Sequence, residues 1–556
     1  MSTTCEFRFG FWDVTARADA TFQVSDNQPW ARVEDMNLED GAVFPDVVTM
    51  EPGFGWPLTG TKAWFPAVPT AMTWGWWSEQ LSRADGTFTN PPTLTVTFSE
   101  NHSSAGITFR FVATLPKSVN IKWYSLTGVL LADRDFTPDR MEYFCDYQVE
   151  NYGKVIVTIP AMSAAHRFLR CSFILFGVLE IIDGQRVQKA ELCEEINPVG
   201  LTLPIDTLAL FFFTPGGRFS LLDPSGAYRL FQWKQQITAY STVDGVQQPM
   251  GVYYLQEMTG LVDSLVDLHL VDIVGVLDTQ TFDGGIYTAI PVRELLDAIL
   301  GPEDVDYTLD PSFEGVTFTG YLPICSKREA LQQIAFALGA VVDTTRGEVM
   351  RFYPMPTSTH HVIDPARKIV GHKVTLEELV TRVDVTAHAY RLNEEVRELT
   401  KTTLDVGRHR LTFTGPVKVS GVTGATLVES HPNYAVVNVA QAGEVILTGQ
   451  EYVDDTSIFT VQTEPLPAGA KSSIKAITGA TLIDAAKAPA AARRVYTYYQ
   501  LRYTDEGLLL PGMEQVGQWV ELQSLGECTL AGPVERLTID LARGCLEAIT
   551  LRGAVT

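Results

Sequence analysis

The stretch Leu94-Thr-Val-Thr-Phe98 alternates apolar with polar side chains, and this pattern decides the fold class of the chain. Successive side chains of a β-strand point to opposite faces of the sheet, so the alternation predicts a strand with one buried face. Similar runs follow, separated by turn residues such as Asn90-Pro91-Pro92; they are Ile107–Phe111, Ile121–Tyr124 and Val155–Ile159. Together they predict a self-contained β-sandwich of about a hundred residues between Trp64 and Phe176.

Three segments carry helical patterns instead. Val292–Leu300 places its leucines on one face and stops at Gly301-Pro302, which is typical of a helix end. Ser326, with Glu329 three positions later, predicts a capping box at the start of a second helix. A third helix is predicted over Ala490–Tyr503. The sequence therefore predicts a mainly β chain with a few helices, in a multidomain β/α+β arrangement.

The composition excludes several classes of protein. The 556 residues are 46% hydrophobic and 19% charged, which excludes a disordered chain and allows about three to five domains. The formal net charge is −24, and this acidic balance argues against broad binding to nucleic acids or anionic membranes. No apolar run reaches the roughly 18–20 residues that span a bilayer, so no membrane span is predicted.

The seven cysteines are scattered along the chain, and none forms a CxxC pair. Their odd number and spacing favour buried, reduced thiols over a disulfide framework or a zinc site. Residues 1–11 lack the basic and then apolar pattern of a signal peptide. Both features predict that the chain is made and folded in a cytoplasm.

Motifs of the common catalytic classes are absent from the sequence, which has no P-loop, GxGxxG, HExxH or GxSxG pattern. Asp454 and Asp455 form a carboxylate pair beside Tyr452. Because no partner histidine is apparent, we interpret the pair as part of a polar turn. We therefore expect no enzymatic activity, no cofactor and no metal site.

Negative charge is concentrated in the range Glu180–Gly320, which holds 21 aspartates and glutamates but 6 arginines and lysines. Within it, Asp263, Asp267, Asp272 and Asp278 interleave with apolar residues, so they are candidates for one shared face. Two interpretations are open. The face is either an ordinary solvated acidic surface or the lining of a channel that repels an anionic cargo.

Three clustered tryptophans, Trp74, Trp76 and Trp77, are candidates for sugar binding. Aromatic faces suit the C–H-rich faces of sugar rings, and a cluster offers more than one such face. The alternative is that these rings fill the core of the predicted sandwich or an interface.

Several motifs, taken in order, resemble a known family. They are Glu194-Glu-Ile-Asn-Pro198, Leu203-Pro-Ile-Asp-Thr-Leu208, Gly217-Arg-Phe219, Leu222-Asp-Pro-Ser-Gly226, Gly320-Tyr-Leu-Pro323, Arg328–Ala335 and Gly347-Glu-Val-Met-Arg351. Over roughly Val178–Gly553 this set resembles the baseplate hub or tail-tip (tail-associated) proteins of tailed phages and prophages of Gram-positive bacteria. The chain has Asp206 where asparagine is common, and near Leu510–Met513 it has Gly-Met-Glu where many members carry Pro-Gly-Asp.

The earlier part of the chain carries a second resemblance. Phe98-Ser99, Gly106–Phe109 and Asn120–Tyr124 are similar to a galactose-binding-like sandwich that is inserted in some of these tail proteins. This resemblance implies that the predicted sandwich is a carbohydrate-binding-like insertion.

The resemblance to hub proteins implies a structural function, connecting the tail tube to the host-attachment apparatus. It implies tail-tube-like β-barrel domains that form a hub ring, hence a homotrimer, around a channel through which DNA passes without specific binding. The implied partners are a distal tail protein, the tail tube and the tape-measure protein, with host cell-surface glycans as a further candidate. The implied location is the virion, at the tail tip or baseplate, after synthesis in the host cytoplasm.

Six domains are expected from the motifs and the chain breakers. They are 1–60, the N-terminal part of a hub domain; 61–177, the inserted sandwich; 178–290, a first tube-like hub domain; 291–375, a small α/β hub domain; 376–486, a second β hub domain; and 487–556, a closing segment of helix and strands.

Two other hypotheses are kept beside the hub. In the first, the chain is a carbohydrate-binding adhesin, a receptor-binding tail protein in which the sandwich is the active module. In the second, it is a peptidoglycan hydrolase, although the sequence lacks a Cys/His or His/Asp cluster at usable spacing.

Overall fold

The computed structural model describes residues 3–12, 14–38, 41–42, 49–53, 75–214, 234–262, 264–463, 466, 469, 471–512 and 514–556. The chain forms two compact units. The larger unit comprises Met1–Phe7, Ile182–Tyr228 and Gln232–Thr556, and the smaller unit comprises Arg8–Ile181 and Arg229–Phe231. The division into six domains stays a prediction.

The first part of the chain contains nine strands and one helix among the described residues. They are β1 Thr3–Trp12, α1 Val14–Asp19, β2 Thr21–Val24, β3 Trp76–Trp77, β4 Thr93–Phe111, β5 Pro116–Tyr124, β6 Leu130–Phe136, β7 Glu142–Met162, β8 Arg170–Leu175 and β9 Gly177–Asp183. In the smaller unit, β3-β8-β4-β7-β5-β6 form one sheet, and β2 pairs with β4.

The four predicted strands of this unit are confirmed, but two of them belong to one element. Leu94–Phe98 and Ile107–Phe111 both lie in β4, whose register against β7 shifts at bulges between Thr97 and Gly106. A bulge inserts a residue and bends a strand without ending it, so the turn-like residues between the two runs do not separate them. The alternating side chains are buried as expected, Val96 and Ile107 among them.

The larger unit continues with many strands and four α-helices among the described residues. Its first half contains β10 Val187–Glu195, β11 Thr207–Phe213, β12 Gln236–Val243, β13 Val246–Val262, β14 Leu265–Val271, α2 Ile273–Asp278, β15 Thr281–Phe282, β16 Gly285–Pro291, α3 Val292–Leu300, β17 Tyr307–Leu309, β18 Thr317–Leu322, β19 Cys325–Ser326, α4 Lys327–Leu338, β20 Ala340–Asp343, β21 Met350–Pro354, β22 His361–Val362 and β23 Lys368–Leu376. Its second half contains β24 Arg382–Leu392, β25 Arg397–Leu404, β26 Gly407–Thr412, β27 Val417–Thr423, β28 Thr426–His431, β29 Tyr434–Val439, β30 Gly443–Gln462, β31 Ile474–Ile477, α5 Ala488–Tyr499, β32 Tyr503–Leu509, β33 Trp519–Gln523, β34 Thr529–Asp540 and β35 Leu546–Val555.

The main sheet of the larger unit follows the order β23-β32-β35-β34-β10-β11-β14-β13-β12-β1-β9. An apolar row crosses its middle, because Leu192 pairs with Leu208, Leu208 with Leu270, and Leu270 with Leu255. All four leucines are 5% exposed or less. At about 0.8 kcal/mol per buried methylene, such a row is a main source of stability for the sheet. The strands confirm the predicted mainly β fold class.

A second β arrangement in this unit contains β25-β30-β24-β31, with β27 paired to β30, and the separate sheet β26-β29-β28. Asp454 and Asp455 lie inside the long strand β30, so their interpretation as a polar turn is wrong. The partner histidine exists but lies on the neighbouring strand: His388 Nδ1 and Asp454 Oδ2 are 2.8 Å apart. Pairing between strands brings the two residues together across 66 positions of sequence, which a local pattern does not reveal.

The helices follow their predictions with one difference. Helix α3 spans Val292–Leu300 as predicted, and α4 begins with the predicted capping box of Ser326 and Glu329. Helix α5 spans Ala488–Tyr499 and ends before the predicted Tyr503. Tyr503 instead begins β32, where it pairs with both neighbouring strands of the main sheet, so sheet hydrogen bonds override the helical spacing there.

All seven cysteines are free thiols, and four of them are buried. In the smaller unit, burial raises the pKa of the Cys171 thiol to about 12, which keeps it protonated and unreactive. Within the described part of the chain, no helix combines the length and apolar character needed to cross a membrane.

Candidate functional sites

The described members of the tryptophan cluster are buried. Trp76 is 1% exposed and Trp77 is 2% exposed. The ring of Trp77 makes edge-to-face contacts with Trp30 and Phe168, at centroid distances of 6.0 and 5.9 Å. Neither ring presents a face to solvent, so both fill the interior, which is the alternative that the sequence left open. Trp74 lies outside the described residues.

The described acidic residues predicted to line a channel lie on different elements and differ in burial. Asp267 lies half-buried on β14, whereas Asp278 is exposed at the end of α2 and contacts Arg328 at 3.3 Å. Asp272 is 3% exposed, so it cannot line a channel. The alternation that suggested a common face stops at Val271, where the strand ends and α2 begins two residues later. Asp263 lies outside the described residues.

The carboxylate of Asp272 has a structural role instead. It caps α2 by accepting a hydrogen bond from the Gly275 amide at 3.0 Å, and it accepts a second from the Thr344 hydroxyl at 2.7 Å. Burial raises its pKa to about 6. Asp206 is close by, because its carbonyl accepts a hydrogen bond from the Asp272 amide at 2.9 Å. Burial, and then the charge of Asp272, raises the pKa of Asp206 well above its ordinary value.

A buried ion pair lies beside these two aspartates. Arg346 donates two hydrogen bonds to the fully buried carboxylate of Glu194, at 2.6 and 3.1 Å. Its backbone has a φ of 60°, in the left-handed region that non-glycine residues rarely adopt. Burial raises the pKa of Glu194, and the charge and hydrogen bonds of Arg346 oppose that rise. The turn between β20 and β21 therefore has a strained backbone at Arg346, and this conformation directs the guanidinium toward Glu194.

Hydrogen bonds in the same region connect segments that are far apart in sequence. Arg328 of α4 donates to the Leu203 carbonyl at 2.7 Å, and Gln332 donates to the carbonyls of Gly200 and Leu201, each at 3.1 Å. Arg351 of β21 donates to Asp343, the last residue of β20, at 2.7 Å. Four of the stretches that carry the family resemblance supply residues here: Glu194–Pro198, Leu203–Leu208, Arg328–Ala335 and Gly347–Arg351. We refer to these contacts as the central polar network.

A second buried cluster contains two glutamates and one arginine. Arg367 binds both oxygens of Glu514, at 2.6 and 2.7 Å, and lies 3.5 Å from Glu547. His361 Nε2 is 3.0 Å from Glu514. Burial opposes the charge on Glu514, but hydrogen bonds from Arg367 and His361 lower its pKa to about 2. Burial and the charge of Glu514 raise the pKa of Glu547 to about 8, so Glu547 holds a proton at neutral pH.

Three His–Asp pairs lie among the described residues: His102–Asp19 in the smaller unit, and His372–Asp505 and His388–Asp454 in the larger unit. His372 Nδ1 lies 2.7 Å from Asp505, and Ser524 donates to the other oxygen of that carboxylate. In a Ser-His-Asp triad the serine hydroxyl forms a hydrogen bond with the histidine. Here the serine hydroxyl bonds to the aspartate instead, so the three residues are not arranged as a triad. His388 is held between Asp454 and the Thr478 carbonyl, at 2.8 and 3.1 Å, which leaves neither ring nitrogen for a substrate.

No set of three or more His, Cys, Asp or Glu side chains is arranged to bind a metal ion in the described ranges. Several open cavities of ligand size lie in the described part of the larger unit. The first, of about 470 Å³, is lined by Arg351, Tyr353, His360, Gln515, Gln518 and Trp519 among others. The second, of about 510 Å³, is lined by Glu377, Ser473, Lys475, Tyr499 and Arg552 among others.

The sequence did not predict the buried ion pairs between arginines and glutamates in the larger unit. Arg346 lies 152 residues from its partner Glu194, and no local pattern links the two. For Glu514 the sequence offered one indication of a special position. This residue directly follows the Leu510–Met513 segment, where the sequence departs from the family pattern. Met513 itself lies outside the described residues.

No protein-family model and no curated protein sequence matches the chain. Among solved structures, the chain is similar to a tail protein from Neisseria meningitidis MC58, with 9% identity, coverage of 67% of this chain and 93% of that chain, and a TM-score of 0.42. It is similar to a 43 kDa tail protein of prophage MuSo2 from Shewanella oneidensis, with 8% identity, coverage of 67% and 94%, and a TM-score of 0.40. It is also similar to prophage tail protein gp18 from Listeria monocytogenes EGD-e, with 12% identity, coverage of 67% and 90%, and a TM-score of 0.38. At these identities and TM-scores, the alignments by themselves assign neither a family nor a function.

Proposed function

We propose that this chain is a structural baseplate hub or tail-tip protein of a phage tail or phage-derived particle, without enzymatic activity of its own. The observation that carries the proposal is the central polar network. The motif stretches that resemble hub proteins meet there: Glu194 binds Arg346, Arg328 binds the Leu203 carbonyl, and Arg351 binds Asp343. Buried and mutually satisfied polar groups favour one rigid arrangement of the segments they join, as a scaffold requires.

The proposal includes a homotrimeric ring located in the virion. A closed ring covers strand edges and apolar surface that would otherwise promote aggregation. The larger unit exposes large apolar side chains on the two strands that flank β24, among them Ile458 of β30 at 67% and Ile474 of β31 at 53%. Exposed side chains of this kind suit the apolar centre of a permanent interface, which typically buries about 2,000 Å² or more.

Native mass spectrometry of the full chain is expected to give a trimer at micromolar concentration, and negative-stain images are expected to show threefold rings. Ile458→Asp should shift the distribution toward monomer, because it places a charge within the proposed interface. The matched control is Val129→Asp in the smaller unit, where Val129 is 60% exposed. A purely monomeric wild-type protein would contradict the ring, and so would equal effects of the two substitutions.

The proposed ring surrounds a channel through which DNA passes, and its partners are a distal tail protein, the tail tube and the tape-measure protein. An acidic lining would repel the phosphate backbone and keep the cargo from binding. Of the four predicted carboxylates, Asp267 and Asp278 remain candidates among the described residues. Sugar binding by the smaller unit stays a prediction, and so does a host glycan as its partner. Because Trp76 and Trp77 are buried, this prediction now depends on Trp74.

Particles that carry Asp267→Lys are expected to assemble normally and to eject their genome more slowly. A lysine at the wall would attract phosphates within the screening length of about 8–10 Å, so the delay should be largest at low salt. Ejection is measured by dye uptake into released DNA. Glu506→Lys, at an exposed carboxylate that pairs with Lys373, is the charge-matched control. Ejection at the wild-type rate at every salt concentration would exclude Asp267 from the lining.

A further inference from the structure

The cavity of about 470 Å³ in the larger unit has the size of a site for a small ligand, within the roughly 300–1,000 Å³ that such sites occupy. One wall is the segment 356–360, and the facing wall is the segment 515–519. The two walls are joined, since the His360 amide donates to the Trp519 carbonyl at 2.6 Å. Strand β22 then continues alongside β33, which fixes the separation of the walls.

The floor of this cavity is held in place before any ligand arrives. Arg351 donates to the Asp343 carboxylate at 2.7 Å and to the Thr345 carbonyl at 2.9 Å. The Tyr353 hydroxyl donates to the same carboxylate at 3.3 Å. Gly517 has a φ of 82°, and a Cβ at this position would lie 2.2 Å from the Tyr353 hydroxyl oxygen. Only glycine therefore allows the wall to approach the floor so closely.

The side chains around the opening both donate and accept hydrogen bonds. The lining includes the amides of Gln515 and Gln518 and the hydroxyl of Ser358. The Gln518 side-chain oxygen accepts from the Gln515 backbone amide at 3.2 Å, which leaves its NH2 group for a ligand, and the Thr359 hydroxyl donates to Glu521 at 2.9 Å. Beside them, the half-buried ring of Trp519 offers an apolar surface at the cavity. The charged lining groups Asp343 and Arg351 form an ion pair at 2.7 Å, which leaves little net charge between them.

We propose that this cavity binds a short neutral saccharide. The hydroxyl groups of a pyranose both donate and accept, which matches the amides and hydroxyls of the walls, and its C–H face suits the ring of Trp519. An anion would meet the paired carboxylate of Asp343, and a purely apolar ligand would leave the wall amides unpaired. The site lies in the larger unit and does not depend on the tryptophans of the smaller unit or on the proposed hub function.

Saturation-transfer difference NMR and tryptophan fluorescence test the proposal on the full chain. The probes are the methyl pyranosides of glucose, galactose, mannose and N-acetylglucosamine, with sorbitol as a polyol that lacks a ring face and glucuronic acid as a charged analogue. At least one pyranoside is expected to bind, and sorbitol is not. Trp519→Leu should weaken that binding about tenfold, because it keeps apolar bulk but removes the aromatic face.

The matched control is Tyr499→Leu, which removes an aromatic ring from the second cavity and should leave pyranoside binding unchanged. If Trp519→Leu does not fold, Gln515→Ala takes its place and should weaken binding several-fold by removing one wall amide. The proposal is overturned if no pyranoside binds, if sorbitol or glucuronic acid binds equally well, or if the cavity variant that folds binds as wild type does. Saccharide binding by a protein that stays monomeric would retain this inference and reject the hub, whereas rings without saccharide binding would do the reverse.

Discussion

Arg346→Met is expected to lower the free energy of unfolding of the larger unit by about 3–5 kcal/mol. The substitution keeps much of the side-chain volume but leaves the carboxylate of Glu194, which is 0% exposed, without its partner. An unpaired charge in the interior must either stay ionised at a high cost in solvation or take up a proton. Either outcome removes the bond that ties β10 to the turn after β20. Differential scanning calorimetry and urea unfolding measure the loss.

The matched control for this change is Arg391→Met. Arg391 pairs with Asp455, but both side chains are more than half exposed, so its loss should cost at most about 1 kcal/mol. The double variant Glu194→Leu/Arg346→Met should recover much of the lost stability, because it removes both the buried carboxylate and the arginine that paired with it. Equal destabilisation by Arg346→Met and Arg391→Met would show that the buried pair does not organise the unit.

Raising the pH from 5.5 to 8 is expected to destabilise the larger unit through Glu547. In the folded chain its pKa is raised to about 8 from an ordinary 4.5, so between these values the folded state keeps a proton that the unfolded state has lost. Stability from this group is therefore present below about pH 4.5 and is lost as the pH rises toward 8. The slope is at most about 1.4 kcal/mol per pH unit, or up to about 3 kcal/mol over this range.

Glu547→Gln should abolish that slope. Glutamine cannot ionise, and it keeps the size of the glutamate side chain and an oxygen that can accept the Gly512 amide. Urea unfolding at pH 5.5, 7 and 8 compares the variant with the wild type, and Glu506→Gln at an exposed carboxylate is the control. Glu514 acts in the opposite direction, since its pKa of about 2 removes stability only below about pH 4.5. Parallel pH profiles for wild type and Glu547→Gln would show that Glu547 is not protonated at neutral pH.

The second cluster also explains why acidic residues were difficult to interpret from sequence. Asp272 and Glu547 belong to the same residue classes as the exposed Asp278, and nothing in their sequence neighbours separates buried from exposed carboxylates. Burial depends on which strands and loops pack over a side chain, and these come from distant parts of the chain. The channel prediction failed for Asp272 for this reason.

What the sequence by itself determined is local. Alternation determined the strands around Leu94–Phe98, and the capping box with its leucine spacing determined α4, because both depend on hydrogen bonds and side-chain directions within a few residues. The tertiary structure decided the rest. It joined two predicted strands into β4, buried Trp76 and Trp77, and paired Glu194 with Arg346, because strand pairing, burial and ion pairing depend on segments that are distant in sequence and meet in space.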